Sequence, residues 1–355
     1  MLPTTPNDNA AVLIVSYNAR PLLADCLASL LASPDAPPPA QIVIVDNASA
    51  DDTVQYLCQH HPQLTLIQSP QNVGFAGGNN LGFAHIRQTF PQVKYVALLN
   101  QDILVAEGWL GELVNLLDQR PAAASTQSKL RLHPETHLLN SAGNCSQYLG
   151  FGFTTGYREP DVGQYDQVRP LAFCSGAAML VRISDVTRET LFDPWYFCYL
   201  EDAELGWYFR IQGKENLFCP TSVVYHRYQF SRNAGFYYRL ERNRWRLILT
   251  YYRVGSILLL LPMLALMELG LLFYFLRAKA LREKLQSWDV FCHGNLRQSR
   301  RQIQRIRRIS DQALTALFTA KVTFSEIRNP LLDHLGNPIL IAYRSLWRSA
   351  GKLLR

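Results

Sequence analysis

Polar residues follow three apolar runs in the first third of the chain, and each group has the side chains needed to hold a ligand. The groups are Ser16-Tyr17-Asn18, Asp46-Asn47-Ala48-Ser49 and Asn100-Gln101-Asp102. Residues that end the strands of a parallel sheet collect at one edge, where α/β proteins bind their ligands. A single group of this kind is commonly just part of a turn or a helix cap. Three in register favour a binding site, formed by Ser16, Tyr17, Asn18, Asp46, Asn47 and Asn100.

Asp102 could hold a divalent cation. A carboxylate after a strand is a suitable oxygen ligand for Mg²⁺ or Mn²⁺, and such an ion can bridge the oxygens of a diphosphate. Asn100, two positions earlier, offers a further oxygen. A single aspartate after a strand is weak evidence by itself.

Glycines are concentrated between Asn72 and Asn80, which predicts a flexible loop before a helix at Gly78–Thr89. Backbone N–H groups around Gly74, Gly77 and Asn79 could approach a phosphate closely there. The spacing is neither that of a dinucleotide-binding fingerprint nor that of a P-loop. An ordinary turn is therefore the alternative.

Aromatic residues lead up to two adjacent acids between Phe192 and Leu205. A ring such as that of Trp195 suits the face of a sugar, and Glu201 and Asp202 could bind a hydroxyl or remove its proton. The acids open a predicted helix, whose N-terminus should lower the pKa of Asp202 and keep it ionised as a base. The alternative is that these acids merely favour a helix start and that the rings are core.

The elements that must position these residues follow an α/β pattern, in which short apolar runs alternate with helical periodicity. The predicted strands are Val12–Ser16, Gln41–Val45, Leu64–Gln68, Tyr95–Leu99 and Phe173–Val181, and the predicted helices include Asp51–His60, Gly78–Thr89, Gly108–Gln119 and Glu201–Gln212.

The charge of the chain is concentrated in one stretch. The net charge is +7, and residues 277–309 alone contain ten Lys and Arg against two acids. A local excess of this kind argues against a nucleic-acid-binding fold and for one surface that contacts anions. Seven widely spaced cysteines without a CxxC pair indicate reduced thiols. Met1–Asn9 lacks the features of a secretory signal, so we expect the catalytic part to stay in the cytosol.

Val254–Leu276 is almost purely apolar and, at about 35 Å as a helix, is long enough to cross a bilayer. Pro262, Glu268 and the flanking arginines argue against a simple span. A kinked helical hairpin lying in the cytosolic leaflet fits better, with the basic stretch on anionic lipid head groups and a second interfacial helix at Pro338–Leu346. Burial against a second subunit is the alternative.

The motifs at Val15–Asn18, Val45–Ser49, Asn72–Asn79, Leu98–Asp102 and Glu201-Asp202, in that order, resemble family 2 glycosyltransferases, most closely the rhamnosyltransferase-like subgroup. The resemblance covers roughly Val12 to Trp245. It implies a GT-A fold, which is an α/β fold with a Rossmann-like mixed sheet, and inversion at the anomeric carbon.

The same resemblance implies roles for individual residues. Asp46 matches the aspartate that helps to hold the nucleoside, Asp102 the metal-binding acid, and Asp202 the general base. Asn100 stands where the family often has the first acid of its metal motif. His226 matches a histidine that is a third metal ligand in some relatives, and a packed histidine is the alternative.

Glu241–Trp245 resembles the QxxRW motif of processive relatives, with Glu in place of Gln. Arg244 could accordingly clamp a diphosphate. A basic amphipathic helix is an equally good interpretation of this segment.

We therefore expect a catalytic domain at residues 1–235 and a helical, membrane-associated region at 236–355. The enzyme would use Mg²⁺ or Mn²⁺ to transfer a sugar from a dTDP- or UDP-sugar to a saccharide or lipid-linked acceptor at the cytoplasmic face of the inner membrane. Two other classes stay open, a sugar nucleotidyltransferase and a non-catalytic membrane adaptor. The first would need a glycine-rich loop after the first strand, where this chain has Ser16–Arg20.

Overall fold

The first two strands are buried at every position except Val15, which is half-buried, because both faces of the sheet are covered. They are β1 (Ala10–Ser16) and β2 (Ile42–Asp46), and both are aliphatic runs without polar alternation, as a doubly covered strand requires. The computed structural model describes residues 7–228, 234–292, 295–323 and 330–353. The expectation of no secretory signal at Met1–Asn9 falls mostly on residues 1–6, outside the described residues.

Ten further strands complete the β-structure. They are β3 (Thr65–Gln68), β4 (Tyr95–Leu99), β5 (Ile103–Val105), β6 (Ala123–Leu132), β7 (Leu139–Ser141), β8 (Asn144–Ser146), β9 (Gly152–Thr154), β10 (Arg169–Leu171), β11 (Ala178–Arg182) and β12 (Glu215–His226).

The described α-helices alternate with the strands at first and then follow one another. They are α1 (Arg20–Ala32), α2 (Thr53–His60), α3 (Gly74–Thr89), α4 (Trp109–Gln119), α5 (Glu201–Ile211), α6 (Ala234–Tyr251), α7 (Val254–Arg277), α8 (Leu281–Gln286), α9 (Leu296–Ile306), α10 (Asp311–Leu314) and α11 (Asn337–Leu353). Short 3-10 turns cover Pro39–Gln41, Ile183–Asp185, Pro194–Tyr196, Ser287–Phe291 and Thr315–Leu317, and a π-helical turn covers Leu332–Gly336.

The main sheet is mixed, with the strand order β10-β12-β6-β11-β4-β1-β2-β3. Strands β1 to β4 run parallel to one another. Strand β11 lies between β4 and β6 and runs antiparallel to both. Strands β5 and β7 add short antiparallel pairings to β12 and β6. This arrangement confirms the predicted α/β sheet and places the carboxyl ends of β1, β2 and β4 at one edge.

The chain divides into two compact units. The first comprises residues 1–144, 154–209 and 214–229, and the second comprises 145–153, 210–213 and 230–355. The first unit contains the main sheet and its covering helices. The predicted division into domains at residue 235 stays a prediction.

Packing explains why several helices of the first unit have their sequences. On α1 the buried residues Leu23, Cys26, Leu27 and Leu30 recur at helical spacing and belong to the core. On α3, a Cβ at Gly78 would lie 2.7 Å from a methyl of Val15, and one at Gly82 would collide with Leu13. Glycine is therefore required for the close approach of α3 to the sheet.

Most predicted elements occur with small shifts of their ends, and two need correction. The run Phe173–Val181 was expected to be one strand, but β11 begins only at Ala178 because Phe173 to Ala177 form loop contacts beside the sheet. The predicted helix began at Gly78 behind a glycine loop, but α3 already begins at Gly74. Its glycines were interpreted as a sign of a flexible loop, but they allow α3 to pack closely against the sheet.

The second unit is helical and contains a buried group of charges. The carboxylates of Glu241 and Glu268 pair with Arg244 and Lys284, with both Lys284 contacts at 2.6 Å. Trp288 also donates its indole N–H to Glu268 at 3.2 Å. Glu268 therefore forms ion pairs within the protein and would not be an unpaired charge if α7 lay in lipid.

Helix α7 is the one described helix that is long and apolar enough to cross a membrane by length and composition. Its most apolar window of 18 residues has a mean hydropathy of 2.3, and only 22% of that window is buried. The predicted hairpin is wrong, because α7 continues without interruption through Pro262, which lies on its exposed side. Seven large exposed side chains recur along α7: Val254, Leu258, Leu261, Leu266, Leu269, Phe273 and Leu276.

Candidate active site

The ends of β1 and β2 place a buried carboxylate at the edge of the sheet. Ser16 pairs with Asp46 in the last position of the two strands, and the backbone N–H of Asn47 donates to the carbonyl of Ser16. Asp46 is 2% exposed and accepts from the backbone N–H of Ser49 through one oxygen. Its other oxygen, Oδ1, is buried without a hydrogen-bond partner. Such an acceptor is suited to a donor group of a ligand.

Hydrogen bonds join the loop that follows β1 to the loop that follows β2. The backbone N–H of Asn18 donates to the hydroxyl of Ser49 at 2.9 Å, and the Asn18 side chain accepts from the N–H of Ala50 at 2.7 Å. Asn18 and Ala48 both have positive φ angles, 47° and 64°. These two non-glycine residues are kept in an unfavourable conformation by the surrounding contacts, as is common where a backbone must fit a ligand.

The end of β4 joins the same edge through Gln101. The backbone N–H of Tyr17 donates to Oε1 of Gln101 at 2.9 Å, so the loop after β1 contacts the loop after β4. Tyr17 itself leaves 45% of its surface exposed, which makes its ring available to a ligand. Gln101 was not among the predicted site residues. Its role depends on this contact across 84 positions, which sequence spacing does not reveal.

Asp102 and His226 meet because β5 pairs with the end of β12. Ile103 lies opposite His226 in that pairing, and Nε2 of the histidine lies 3.3 Å from Oδ1 of Asp102. His226 is 5% exposed. Oδ1 of Asp102 is also buried, and it accepts no hydrogen bond. The short distance is therefore a contact between the two groups without the geometry of a hydrogen bond.

Asn140, on β7, sets the orientation of the histidine ring. Its Oδ1 lies 2.8 Å from Nδ1 of His226. A carbonyl oxygen can only accept, so Nδ1 donates to Asn140, and in the neutral ring Nε2 then presents its lone pair to Asp102. Two electron-rich atoms that face each other, one of them a buried oxygen without a donor, fit a shared cation.

This pair alone does not form a complete metal site. Among the residues that the structure describes, no group of three or more His, Cys, Asp or Glu side chains is arranged to hold a metal ion. A two-ligand site is nevertheless usual where the oxygens of a phosphate complete the coordination, as with Mg²⁺. The donor set at Asp102 and His226 therefore fits a divalent cation that is bound together with a diphosphate.

Asp202 begins α5 and receives two backbone hydrogen bonds. The N–H of Ala203 donates to Oδ1 at 2.7 Å, and the N–H of Gly176 donates to Oδ2 at 3.3 Å. Burial raises the pKa of Asp202 to about 6, although the backbone hydrogen bonds act in the opposite direction. The expectation that the helix N-terminus lowers this pKa is wrong in sign, because desolvation exceeds the helix-end effect. A base with this pKa is still ionised at neutral pH.

Glu201, the neighbouring acid, is buried and has an unpartnered oxygen, Oε2. Its burial, followed by the nearby charge of Asp202, raises its pKa well above the usual value. The two carboxyl groups therefore titrate as a pair, in which Glu201 holds its proton more firmly. This leaves Asp202 as the member that can accept a proton from another group.

The three acids of the first unit lie along one edge of the sheet. Gly176, which donates to Asp202, precedes Ala177, whose carbonyl accepts from the backbone N–H of Asn100. Asn100 begins the turn that contains Asp102, and the loop after β4 contacts the loop after β1, beside Asp46. The residues predicted to hold the nucleoside, the cation and the proton therefore lie on linked loops at this edge, and their roles stay predictions.

The backbone before α5 is strained. Phe197, Tyr199 and Leu200 have φ angles of 56°, 71° and 63°, which are unfavourable for large side chains. Gly74, at the start of α3, also has a positive φ, and a Cβ there would lie 2.4 Å from the carbonyl oxygen of Phe197. The N–H of Ala76 donates to that same oxygen at 2.9 Å. The first turn of α3 therefore fixes the segment that leads to Asp202.

Several predicted ligand-binding residues make internal contacts instead. The side chain of Asn47 donates to Asn72 and to the carbonyl of Gly74, and it accepts from the N–H of Val73. Asn79 is 1% exposed and donates to the carbonyl of Phe75 within α3. The binding roles of Asn47, Gly74, Gly77 and Asn79 stay predictions, and these contacts favour support of the adjacent turn.

Trp195 and Arg244 also have defined places. Trp195 lies half-buried in a 3-10 turn, with its backbone N–H capped by Oδ1 of Asp193 at 3.0 Å. Arg244, in the second unit, is fully buried, and its guanidinium binds Glu241, Glu268 and the carbonyl of Leu149. The diphosphate role of Arg244 stays a prediction, and a buried ion-pair role agrees better with these contacts.

Sequence reasoning missed three residues of this site: Gln101, Asn140 and Gly176. Asn140 and Gly176 lie in the middle of the chain, where the sequence has little periodicity. They reach the site through the pairing of β7 with β6 and through the reversed strand β11. No local sequence signal could have identified them.

Comparisons with known proteins agree with this geometry. Residues 11–164 match the model of the glycosyl transferase family 2. One relative is the N-acetylglucosaminyl-diphospho-decaprenol L-rhamnosyltransferase of Mycobacterium tuberculosis, 26% identical over 237 residues, or 62% of this chain and 76% of the relative. Another is the rhamnosyltransferase WbbL of Escherichia coli, 25% identical over 248 residues, or 68% of this chain and 90% of the relative.

Two solved structures share the fold. GalNAc-T7, crystallised with UDP, GalNAc and Mn²⁺, has a TM-score of 0.55 at 15% identity over 69% of this chain, which spans 48% of that protein. TarS of S. aureus has a TM-score of 0.51 at 15% identity over 97% of this chain, which spans 55% of that protein.

The protein is therefore a glycosyltransferase with a GT-A fold. It carries a glycosyl transferase family 2 domain and has rhamnosyltransferases among its relatives. The predicted resemblance and the predicted fold are confirmed.

Proposed function

We propose that this enzyme transfers a sugar, with inversion, from a nucleotide diphosphate to a lipid-linked saccharide in the synthesis of a cell-surface polysaccharide. The main support is the convergence of Asp46, Asp102 and Asp202 at one edge of the sheet. Each has a different environment: Asp46 offers a buried acceptor, Asp102 faces His226, and Asp202 is a base with a raised pKa.

The proposed reaction is a single displacement. Asp202 accepts the proton of an acceptor hydroxyl, and that oxygen forms a bond to the anomeric carbon. The bond between the anomeric carbon and the diphosphate oxygen breaks on the opposite face, and the nucleoside diphosphate leaves with the bonding electrons. General-base assistance of this kind contributes about 10²- to 10⁴-fold to a rate.

Asp102 and His226 are the residues that would hold Mg²⁺ or Mn²⁺. A divalent cation supplies positive charge that stabilises the departing diphosphate. The buried, unpartnered Oδ1 of Asp102 and the lone pair of His226 Nε2 are the observations that support this assignment.

The donor and the acceptor are proposed from the relatives. Both relatives named above are rhamnosyltransferases, and one of their names specifies a diphospho-decaprenol acceptor. We therefore place dTDP-rhamnose first among the donors and a UDP-sugar second. An acceptor with a lipid anchor places the enzyme at the cytoplasmic face of the inner membrane, with residues 1–235 as the catalytic domain and 236–355 as the membrane-associated region.

The experiment is a donor screen on the purified full chain. The protein is incubated with a lipid-linked or short-chain saccharide acceptor and either dTDP-rhamnose or one of several UDP-sugars, with Mn²⁺ or with a chelator. We expect product from one donor, of inverted configuration by NMR, and only with the cation. Retained configuration would refute the mechanism, and hydrolysis or transfer that is unaffected by the chelator would refute the role of the cation.

A further inference from the structure

One face of α9 carries three arginines in a row. Arg297, Arg301 and Arg305 are exposed and recur at intervals of four residues, which places them on the same side of the helix. Like charges at this spacing repel one another and destabilise a helix slightly. α9 contains no acidic residue that would offset the repulsion.

Two other arginines nearby, Arg300 and Arg307, differ because their side chains serve the fold. Arg300, also on α9, donates to the carbonyls of Leu249 and Tyr252 at the end of α6. Arg307 donates to the carbonyl of Tyr251 and pairs with Asp311 at 3.0 Å. These contacts satisfy carbonyls at a helix C-terminus, which is a structural use of a basic side chain.

The three exposed arginines line one open cavity of about 760 Å³. Among the residues that the structure describes, the rest of its lining is uncharged: Phe291, Cys292, Asn295, Leu296, Gln298 and Gln302. The lining therefore offers cationic and amide donors without a competing carboxylate. This composition suits the oxygens of a phosphate group.

Apolar residues border this cavity. Phe291 is 51% exposed, and its ring packs edge-on against Trp245 at a centroid distance of 5.1 Å. Leu296 is a second apolar residue of the lining, and Leu285, on α8 and outside the lining, is 47% exposed. Exposed rings and leucines beside arginines are typical of proteins that lie at a membrane surface, where the apolar groups enter the acyl region and the cations meet head groups.

We infer that this face of α9, formed by Arg297, Arg301 and Arg305 and called the α9 basic face, binds the phosphate groups of anionic phospholipids in a membrane surface. The occupant follows from charge complementarity and from the apolar residues in the same unit, including the exposed side of α7. The inference deepens the proposed function, since it states how an enzyme with a lipid-linked acceptor would be held at its substrate.

The test measures the binding of the full chain to vesicles by co-sedimentation. Vesicles of phosphatidylcholine are compared with vesicles that also contain phosphatidylglycerol, at low and high salt. We expect salt-sensitive binding to the second kind. The triple substitution Arg297→Gln, Arg301→Gln and Arg305→Gln should weaken it roughly a hundredfold. The corresponding Arg→Lys triple variant should retain most of the binding, because lipid surfaces respond to charge.

A matched control separates this face from net charge. The substitutions Lys94→Gln, Arg120→Gln and Lys321→Gln remove the same charge from exposed positions outside the cavity. Equal losses in the two triple variants, or wild-type binding by the α9 triple variant, would overturn the inference. Loss of vesicle binding on addition of millimolar inorganic phosphate or free dTDP would assign the cavity to a soluble phosphate ligand and would also overturn it.

A second readout keeps the two proposals separable. Transfer to a water-soluble acceptor should be the same in the wild type and in the α9 triple variant, whereas transfer to acceptor embedded in vesicles should fall. If the wild type has no transferase activity with any donor but still binds anionic vesicles through Arg297, Arg301 and Arg305, the proposed function fails and the lipid site stands.

Discussion

Oδ1 of Asn140 lies 2.8 Å from Nδ1 of His226, and this contact determines which nitrogen of the ring faces Asp102. Without an acceptor at Nδ1, the ring proton could move to Nε2, and the histidine would then donate to Asp102 instead of sharing a cation with it. Outer contacts of this kind commonly change metal affinity by 10- to 100-fold.

We expect Asn140→Ala to weaken Mn²⁺ binding by about 10- to 100-fold. The measurement is titration calorimetry or electron paramagnetic resonance of Mn²⁺ with the full chain and a nucleoside diphosphate, so that the result does not depend on turnover. Asn140→Asp is the matched variant, because its carboxylate still accepts from Nδ1 and should preserve the affinity. Wild-type Mn²⁺ affinity in Asn140→Ala would contradict the assignment.

Asp202→Asn should lower the rate of transfer by about 10²- to 10⁴-fold while donor affinity stays within a few-fold of the wild type. The same change removes one of two adjacent buried carboxyl groups, so the melting temperature should be unchanged or higher. Rates and donor affinity are measured on the same preparation, with Glu107→Gln at an exposed turn as the control. Full activity in Asp202→Asn would refute the assignment of Asp202 as the base.

The pH dependence of transfer should show an acidic limb near pH 6. The base must be ionised, and burial raises the pKa of Asp202 to about 6, so kcat/KM should fall about tenfold per pH unit below that value. For stability the sign is opposite: a carboxyl whose pKa is higher in the folded state than its ordinary 3.8 loses stabilisation as pH rises from about 4 to about 6. A rate profile that is flat to about pH 4 would contradict the raised pKa.

Gly74→Ala should reduce both stability and kcat, because the added methyl would lie 2.4 Å from the carbonyl oxygen of Phe197 and displace the segment before Asp202. Overpacking of this kind costs about 1–3 kcal/mol. Gly213→Ala is the matched control: it has a similar φ of +80°, but nothing lies within 4 Å of its Cβ. Thermal melts and kcat should change clearly more for Gly74→Ala, and equal effects would show that φ alone explains the glycine.

The sequence predicted the sheet better than it predicted the surroundings of the site. The runs that became β1, β2 and β4 are aliphatic throughout, so their burial and their polar ends could be inferred from residue type alone. Asp46 and Asp102 were found in this way, and their proximity follows from the common direction of parallel strands. Asp202 was found instead from the pair of acids that opens α5, and it reaches the same edge through Gly176, just before the reversed strand β11.

What could not be predicted depended on contacts between distant segments. The sign of the pKa shift at Asp202 depends on how deeply α5 is buried, and a helix-end argument contains no information about that. The glycines before Asn79 were interpreted as a loop because glycine is favoured both in flexible loops and where two elements pack closely. From the sequence, Arg244 could be a ligand-binding arginine. Its ion pairs with Glu241 and Glu268 depend on the tertiary fold and could not be inferred from the motif.

Strand β11 runs against its neighbours β4 and β6, and this has a consequence for the chemistry at the sheet edge. Parallel strands alone would present mainly carbonyl groups where they end. A strand that enters at that edge brings its amide hydrogens there, and Gly176, just before β11, directs one of them at Asp202. A single reversed strand thus places an amide donor among carbonyl acceptors, beside the carboxylate that must be ionised before it can accept a proton.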